Sequence, residues 1–419
     1  AEHPSGDDLD VFGPDSLFQL LSLCRTPMGE ERLAAWLLEP APIDAVRERQ
    51  SRVAALRSHL DLRERVAVVN AGLRRFMLPD PMIAWAEHRP SLPPLRLLVV
   101  ALALGFAAAV ALYMNGGSGW PLVASLAVNA ACLALLAQRA NAIVEGLSSS
   151  TGATSVDLLA NVIREIERET FTEPALVALA QRLKGAAGGM AASRGIARLA
   201  LVTDWADSRH SVFARVSELP FLYTLQVAYA CEAWRARHGR QLRDWVDAVA
   251  EMEALLSLGG YSYEHPADPF PELVESPEPL FDAIDLSHPL IPAATAIANT
   301  LTLGTSSGSQ DLRTSAPRIL IVSGSNMSGK STLMRTTGIN AVLALAGAPV
   351  RARRLRLTPL AVGTCLRHTD SLQEHRSGFY TEALRIRRIC DLLDGKLPVL
   401  FLFDELLSGT NSKDRRLAA

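Results

Sequence analysis

Hydrophobic positions along the chain fall into four textures. From residue 9 to about residue 75 they recur at helical spacing. Leu33, Trp36 and Leu37 share one face, and Val46, Val53, Leu56 and Leu60 recur through a stretch that alternates arginine with glutamate. This predicts amphipathic helices with one solvated side. Ser16 to Leu23 is a compact apolar segment behind the turn Gly13-Pro14-Asp15. Leu97 to Met114 then runs eighteen residues without a charge, a neutral turn follows at Asn115-Gly116-Gly117-Ser118-Gly119, and Pro121 to Ala137 is a second uncharged run containing Asn129. Residues 150 to 260 return to the amphipathic pattern, with Val156, Leu159, Ile163 and Ile166 at spacings of three and four. Residues 264 to 292 are rich in proline and predict extended connections. Gly304 to Ala316 is a polar Gly/Ser loop. From Arg318 onward short β-rich runs alternate with helical stretches, the signature of an α/β domain.

The two uncharged runs stand apart. At 1.5 Å per residue the first covers roughly 27 Å, near the thickness of a bilayer core. Arg96 precedes the pair and Arg139 follows it. The positive-inside bias then places both ends in the cytoplasm and predicts a membrane hairpin over residues 97–137. A helical hairpin buried in a soluble bundle would carry the same pattern. Helices apolar all round are costly on an exposed arm, which favours the membrane.

Composition narrows the remainder. The 419 residues exceed one ordinary domain. With 42 basic and 44 acidic residues the net charge is −2, which argues against a chain-wide polyanion-binding face. The five cysteines form no CxxC pair, so neither a disulfide framework nor a zinc site is indicated and a reducing compartment fits. The first thirty residues show no signal-peptide pattern. Lysine occurs only at positions 184, 330, 396 and 413.

One of those lysines lies in a motif. Ile319-Leu320-Ile321-Val322 predicts a buried strand, and Gly324-Ser325-Asn326-Met327-Ser328-Gly329-Lys330-Ser331-Thr332 follows at once, before a helical stretch to about Ala346. This is GxxxxGK[ST] in its required context, a phosphate-cradling loop between strand and helix. Glycines let successive N–H groups curl toward phosphate oxygens, and the helix N-terminus adds partial positive charge. Lys330 is expected on the phosphates of ATP and the Ser331 hydroxyl on Mg²⁺. Val399-Leu400-Phe401-Leu402-Phe403 predicts a central strand ending in Asp404-Glu405. Asp404 is expected in the Mg²⁺ shell, with Glu405 as general base on the attacking water.

Asn326-Met327-Ser328 within the loop resembles the GPNMxGKST of the MutS family, with Ser325 where that family usually has proline. Asp404-Glu405-Leu406-Leu407-Ser408-Gly409-Thr410-Asn411-Ser412-Lys413-Asp414 resembles its DEIGRGTSTxDG, and Arg376-Ser377-Gly378-Phe379-Tyr380-Thr381-Glu382, after Asp370-Ser371-Leu372, its DDLxxGxSTFxxE. His288-Pro289-Leu290 is similar to its RHP element. Residues 9 to 40 are similar to the start of its core domain. The resemblance implies that Ser377 reaches the nucleotide of an opposite subunit in an ATP-dependent homodimer. It also implies a DNA-binding role related to mismatch repair. Nothing matches the family's N-terminal mismatch-recognition domain, the hairpin lies where the family has its lever and clamp, and Ala296 falls near the place of its adenine-stacking aromatic. The sequence stops soon after the Asp-Glu motif and is expected to be a piece of a longer protein.

The expected architecture is an α/β P-loop NTPase of the ABC/MutS type, with a parallel sheet, preceded by a mostly α-helical core and lever. Its divisions are residues 1–95 (helical core), 96–139 (hairpin), 140–275 (lever and core return) and 276–419 (incomplete ATPase domain). The expected function is Mg²⁺-dependent ATP hydrolysis in a DNA transaction. The alternative is a mechanochemical ATPase, anchored at the inner face of the cell membrane, acting on a protein or lipid. Three further groups invite attention. The arginines at 351, 353, 354 and 356 read as a solvated edge before a DNA-phosphate patch. His368 and His375 lack metal-ligand spacing, and Tyr261, Tyr263 and Phe270 read as packing residues.

Overall fold

The computed structural model describes residues 6, 8–69, 79–150, 152–185, 190–304, 319–325, 328–366 and 378–404. In chain order the helices begin with α1 Leu17–Leu21, α2 Pro27–Leu38, α3 Ile43–Leu56, α4 Leu60–Val69 and α5 Pro79–Glu87. The apolar pair follows as α6 Arg96–Met114 and α7 Trp120–Ser150. Next come α8 Ala153–Arg168, α9 Pro174–Lys184, α10 Ala192–Asp207, α11 Val212–Phe221 and α12 Tyr223–Glu264. The strands β1 Glu272–Leu273, β2 Leu280–Leu286 and β3 Asn299–Gly304 precede α13 Lys330–Ala346. The described order ends with β4 Arg354–Leu357, β5 Ala361–Cys365, α14 Gly378–Asp391 and β6 Val399–Phe403.

Two compact units result. One gathers residues 1–24, 29–60 and 253–419, and the other residues 25–28 and 61–252. The divisions expected at 95, 139 and 275 do not coincide with them. The reason lies in α3, which the sequence assigned to a separate N-terminal core. Arg47 donates to the Glu275 carboxylate (2.6 Å) and Gln50 to the Pro271 carbonyl (3.0 Å), while Arg49 donates to the Ala346 carbonyl (2.9 Å). Contacts separated by more than two hundred residues leave no periodic trace in a sequence.

In the first unit β1, β4, β2 and β3 lie side by side in that order. β2 runs antiparallel to β3 and β4, and β1 parallel to β4. The proline-rich stretch expected to be connections thus contains β1 and β2, and in β2 Leu280, Phe281, Ala283 and Leu286 all find a buried side. β5 and β6 form a separate parallel pair, from Ala361 opposite Val399 to Cys365 opposite Phe403. Ile319–Val322, expected as a strand, belongs to no sheet among the described residues, and Ile319 and Ile321 are exposed.

α13 is the buried axis of this unit. Every residue from Thr336 to Ala346 is buried, which removes any polar face. Gly329 before it and Gly347 after it sit at φ +88° and +84°, left-handed positions that suit glycine. At Gly338 a Cβ would lie 2.7 Å from Leu9 and 2.8 Å from Leu402, so the helix is pressed between the N-terminal segment and β6. Buried Asn340 is satisfied on both sides of its amide. It donates to the Ser287 carbonyl (3.0 Å) and accepts from the Arg351 N–H (2.8 Å).

The second unit is helical among its described residues. α8 and α10 pack along each other, burying Val156, Leu159, Ile163 and Ile166 as their spacing predicts. Trp85 of α5 donates to the Ile143 carbonyl of α7 (3.1 Å), and the Arg235 guanidinium stands over the Trp85 ring (4.2 Å). α7 runs well past Ala137, where the uncharged stretch stops, to Ser150.

Candidate nucleotide site

The site is assembled by the packing of α13 against β6. β6 is apolar along its length and ends at Asp404, whose N–H donates to the Cys365 carbonyl at the end of β5 (3.0 Å). That bond fixes the carboxylate at the strand ends. α13 presents its first turn there, and the Ser331 hydroxyl donates to Asp404 Oδ2. Two residues 73 positions apart, both expected on Mg²⁺, are thereby paired. Lys330 Nζ donates to the Gly324 and Ser325 carbonyls (2.9 and 2.8 Å), so its ammonium sits within the curve of the loop. Ser328 N–H donates to the Ser325 carbonyl (3.2 Å), closing that curve. A Cβ at Gly324 would lie 2.7 Å from Ser328 Oγ. Gly324, Ser325, Ser328, Gly329 and Thr332 are exposed. Asn326, Met327, Ser377 and Glu405 lie outside the described residues, as do His368 and His375.

Beside this loop a cavity of about 520 Å³ is lined by Ile319–Val322, Lys330, Leu333 and the residues of β6. Its walls are apolar except at the Lys330 and Asp404 end. A first helical turn with a hydroxyl, a carboxylate opposite it and an ammonium within the loop is a donor set that suits a magnesium nucleotide. Behind Asp404, burial pushes the Cys365 thiol up to about 11, with Glu382 and Asp8 adding to the shift, so it stays a neutral packing group.

A second set of residues supports the site from behind; sequence reasoning marked His288 and the segment holding Asp10 by resemblance but missed Asp8 and these contacts. Asp8 is buried; its carboxylate accepts from the Leu366 N–H (2.8 Å) just after β5 and from Arg385 of α14 (3.3 Å). Asp10 accepts from Arg335 of α13 (3.1 Å), one turn beyond Ser331. His288 is buried, and burial holds its pKa below the usual histidine range, against the pull of Asp10. Its Nδ1 accepts from the Leu290 N–H (3.3 Å). With Asp8 and Leu366 lying 358 positions apart, no spacing could have flagged the pair.

The arginine cluster is matched by acids within its own sheet. Arg353 pairs with Asp285 (3.0 Å), Arg354 with Asp282 (2.9 Å) and Arg356 with Glu272 (2.9 Å). Tyr261 stacks on His265 at 4.3 Å and donates to Asp268 (3.1 Å), a packing role. Among the described residues no group of histidine, cysteine and carboxylate side chains is placed to hold a metal ion by itself.

Residues 320–418, which carry the loop, α13 and β6, match MutS domain V. The probable DNA mismatch repair protein Msh6 of Drosophila melanogaster is 33% identical over 181 residues, 43% of this chain and 14% of that protein. The DNA mismatch repair protein MutS of Anaeromyxobacter sp. (strain K) is 32% identical over 197 residues, 45% of this chain and 21% of that one. Endonuclease MutS2 of Maridesulfovibrio salexigens is 32% identical over 133 residues, 31% and 16% of the two chains. The C-terminal part of the chain thus carries a MutS-family domain. The aligned regions span about a seventh to a fifth of these curated relatives.

Proposed function

We propose that this chain binds and hydrolyses ATP with Mg²⁺ at the N-terminus of α13. The observation that carries the reading is the Ser331–Asp404 hydrogen bond, which joins the two oxygen ligands a nucleotide-bound magnesium ion needs. Bound Mg²⁺ would supply charge neutralisation on the phosphates. Lys330 exchanges its two loop carbonyls for phosphate oxygens and offsets their charge. Ser331 and Asp404 hold the ion, and the loop N–H groups from Gly324 to Thr332, with Asn326, Met327 and Ser328 between them, orient the chain of phosphates. Glu405, next to Asp404 in the sequence, takes the proton of the attacking water. Ser377 completes the site of a second copy in an ATP-dependent homodimer. The names of the relatives support coupling of this cycle to DNA mismatch repair, with double-stranded DNA as the proposed partner.

A specific observation favours a second reading of what the cycle drives. In the most apolar eighteen-residue stretch of α6 only 17% is buried, and in that of α7 only 6%. Two helices long enough to cross a bilayer with so little cover are what a membrane anchor presents. On this reading the ATPase works from the cytoplasmic face on a protein or lipid partner. Turnover of Mg-ATP by the full-length protein, compared with Lys330→Ala and Asp404→Asn, tests the shared core of both readings. Magnesium-dependent turnover lost in both variants is expected, and equal turnover in all three proteins overturns it. DNA binding that weakens steeply with salt separates the first reading from the second.

A further inference from the structure

We propose that α11 and the start of α12 form a re-entrant turn that enters the cytoplasmic leaflet beside the α6–α7 hairpin. The proposal rests on the membrane reading of that hairpin and adds a third lipid-embedded element to it. α11 has the uneven sequence VFARVSELPF. Ala214 and Ser217 are buried, and small residues are what close helix packing in lipid uses. The outer stripe carries Val212 (77% exposed), Phe213 (75%) and Val216 (69%), large apolar side chains with no cover.

Depth is fixed by two contacts. Phe221, the last residue of α11, meets Phe106 of α6 edge-on at 5.5 Å. Asn129 of α7, fully buried, donates to the Leu219 and Pro220 carbonyls (3.2 and 2.9 Å). Phe106 lies ten residues beyond Arg96 and Asn129 nine beyond Trp120, so each is about 15 Å along its helix, near the middle of a bilayer core of ~30 Å. The chain then reverses at Leu222, in the left-handed conformation at φ +56°. α12 leads back toward the hairpin base, where the Tyr229 hydroxyl donates to the Pro93 carbonyl (2.9 Å).

Side chains serve several backbone groups of the turn, although Asn129 Oδ1 itself finds no partner among the described residues. Helix ends leave carbonyls and N–H groups without helical partners. Here Asn129 serves Leu219 and Pro220, Gln226 Nε2 donates to the Phe221 carbonyl (3.4 Å), and the Glu218 carboxylate accepts from the Thr224 N–H (3.1 Å) and hydroxyl (2.8 Å). Turns in water use such caps too, with solvent as the alternative partner. Non-helical backbone at membrane depth requires them, because each unsatisfied group there costs several kcal/mol. Arg215, exposed and below the tip, has a stem long enough to carry its charge back to the headgroups.

The test uses the full-length protein in phospholipid vesicles, in a Cys390→Ser background. An environment-sensitive thiol dye is placed by Val216→Cys or, for the hairpin, by Leu104→Cys; both sites are exposed, so the packing is untouched. Signal from the parent protein is subtracted. Nitroxides on the lipid chains are expected to quench both dyes, each about threefold more than aqueous iodide does, as apolar surroundings dictate. Quenching at position 104 by lipid but at 216 by iodide overturns the re-entrant turn and leaves the hairpin anchor standing. Iodide quenching at both positions overturns the turn and the anchor together.

Discussion

Helix α6 and the second half of helix α13 both carry mostly apolar side chains all round, and their surroundings are opposite. From Thr336 to Ala346 every residue of α13 is covered by protein. In α6 the buried residues are Val99, Ala103 and Ala109, and the larger side chains point outward. A helix apolar all round needs an apolar surround on every side. The first unit supplies that surround from β6, the N-terminal segment and α3. For α6 the described residues of its own unit supply a fraction. The difference shows that apolar periodicity reports the need for cover and says nothing of whether protein or lipid meets it.

The largest expected effect separates the two helices by chemistry. Glu405→Gln, next to the site that α13 builds, should lower kcat by about 10²–10⁴-fold while ATP still binds. Leu104→Ala on α6 should leave kcat in detergent unchanged. Steady-state turnover of the two variants checks this, and a hairpin variant as slow as Glu405→Gln would break the comparison. Stability comes next. Leu343 is 0% exposed, and Leu343→Ala should cost ~2–5 kcal/mol in a denaturant titration. Leu104 is 65% exposed, and the same truncation there should cost under ~0.5 kcal/mol in detergent. Comparable losses at both sites would mean that α6 is covered by protein after all.

The smallest effect concerns pH. The folded pKa of His288 is depressed by burial from its ordinary 6.5. The unfolded chain therefore takes up a proton that the folded chain refuses, so the contribution of His288 is present above that pH and is lost below it. Protonation also removes the acceptor that holds the Leu290 N–H. His238, likewise depressed by burial, acts with the same sign in the second unit. Melting temperature followed from about pH 7.5 to 5.5 should fall in the parent and fall less in His288→Gln. Parallel curves would remove His288 from the acid response.

What was legible in the sequence was whatever obeys local spacing. The loop before Lys330, the strand ending at Asp404 and the amphipathic face of α8 follow from patterns of a few residues. Ser331 and Asp404, both expected on Mg²⁺ from motif chemistry, are joined by a hydrogen bond. The strand expected at Ile319–Val322 was read from apolarity, but a strand also needs a ladder partner, and β6 takes β5 instead. β2 was hidden by its proline-rich flanks. The contacts of Asp8 and Asp10 and the turn at Leu222 were invisible because the partners are distant or the signal is one backbone angle. The expected divisions differ from the two compact units for the same reason, since α3 is tied by its arginines to segments more than two hundred residues away.

The central proposal is that the chain binds a nucleotide at α13 and is anchored in a membrane by α6 and α7. Flotation of the full-length protein with phospholipid vesicles at alkaline pH, beside Leu104→Lys, tests it most directly. A charge at the middle of a spanning helix costs about 2.5–3.5 kcal/mol, whereas on a water-exposed face it costs almost nothing. The account predicts that the parent floats with the vesicles and resists alkali, and that Leu104→Lys floats less. A parent that stays in the aqueous fraction without detergent, or a Leu104→Lys protein that floats equally, would contradict it.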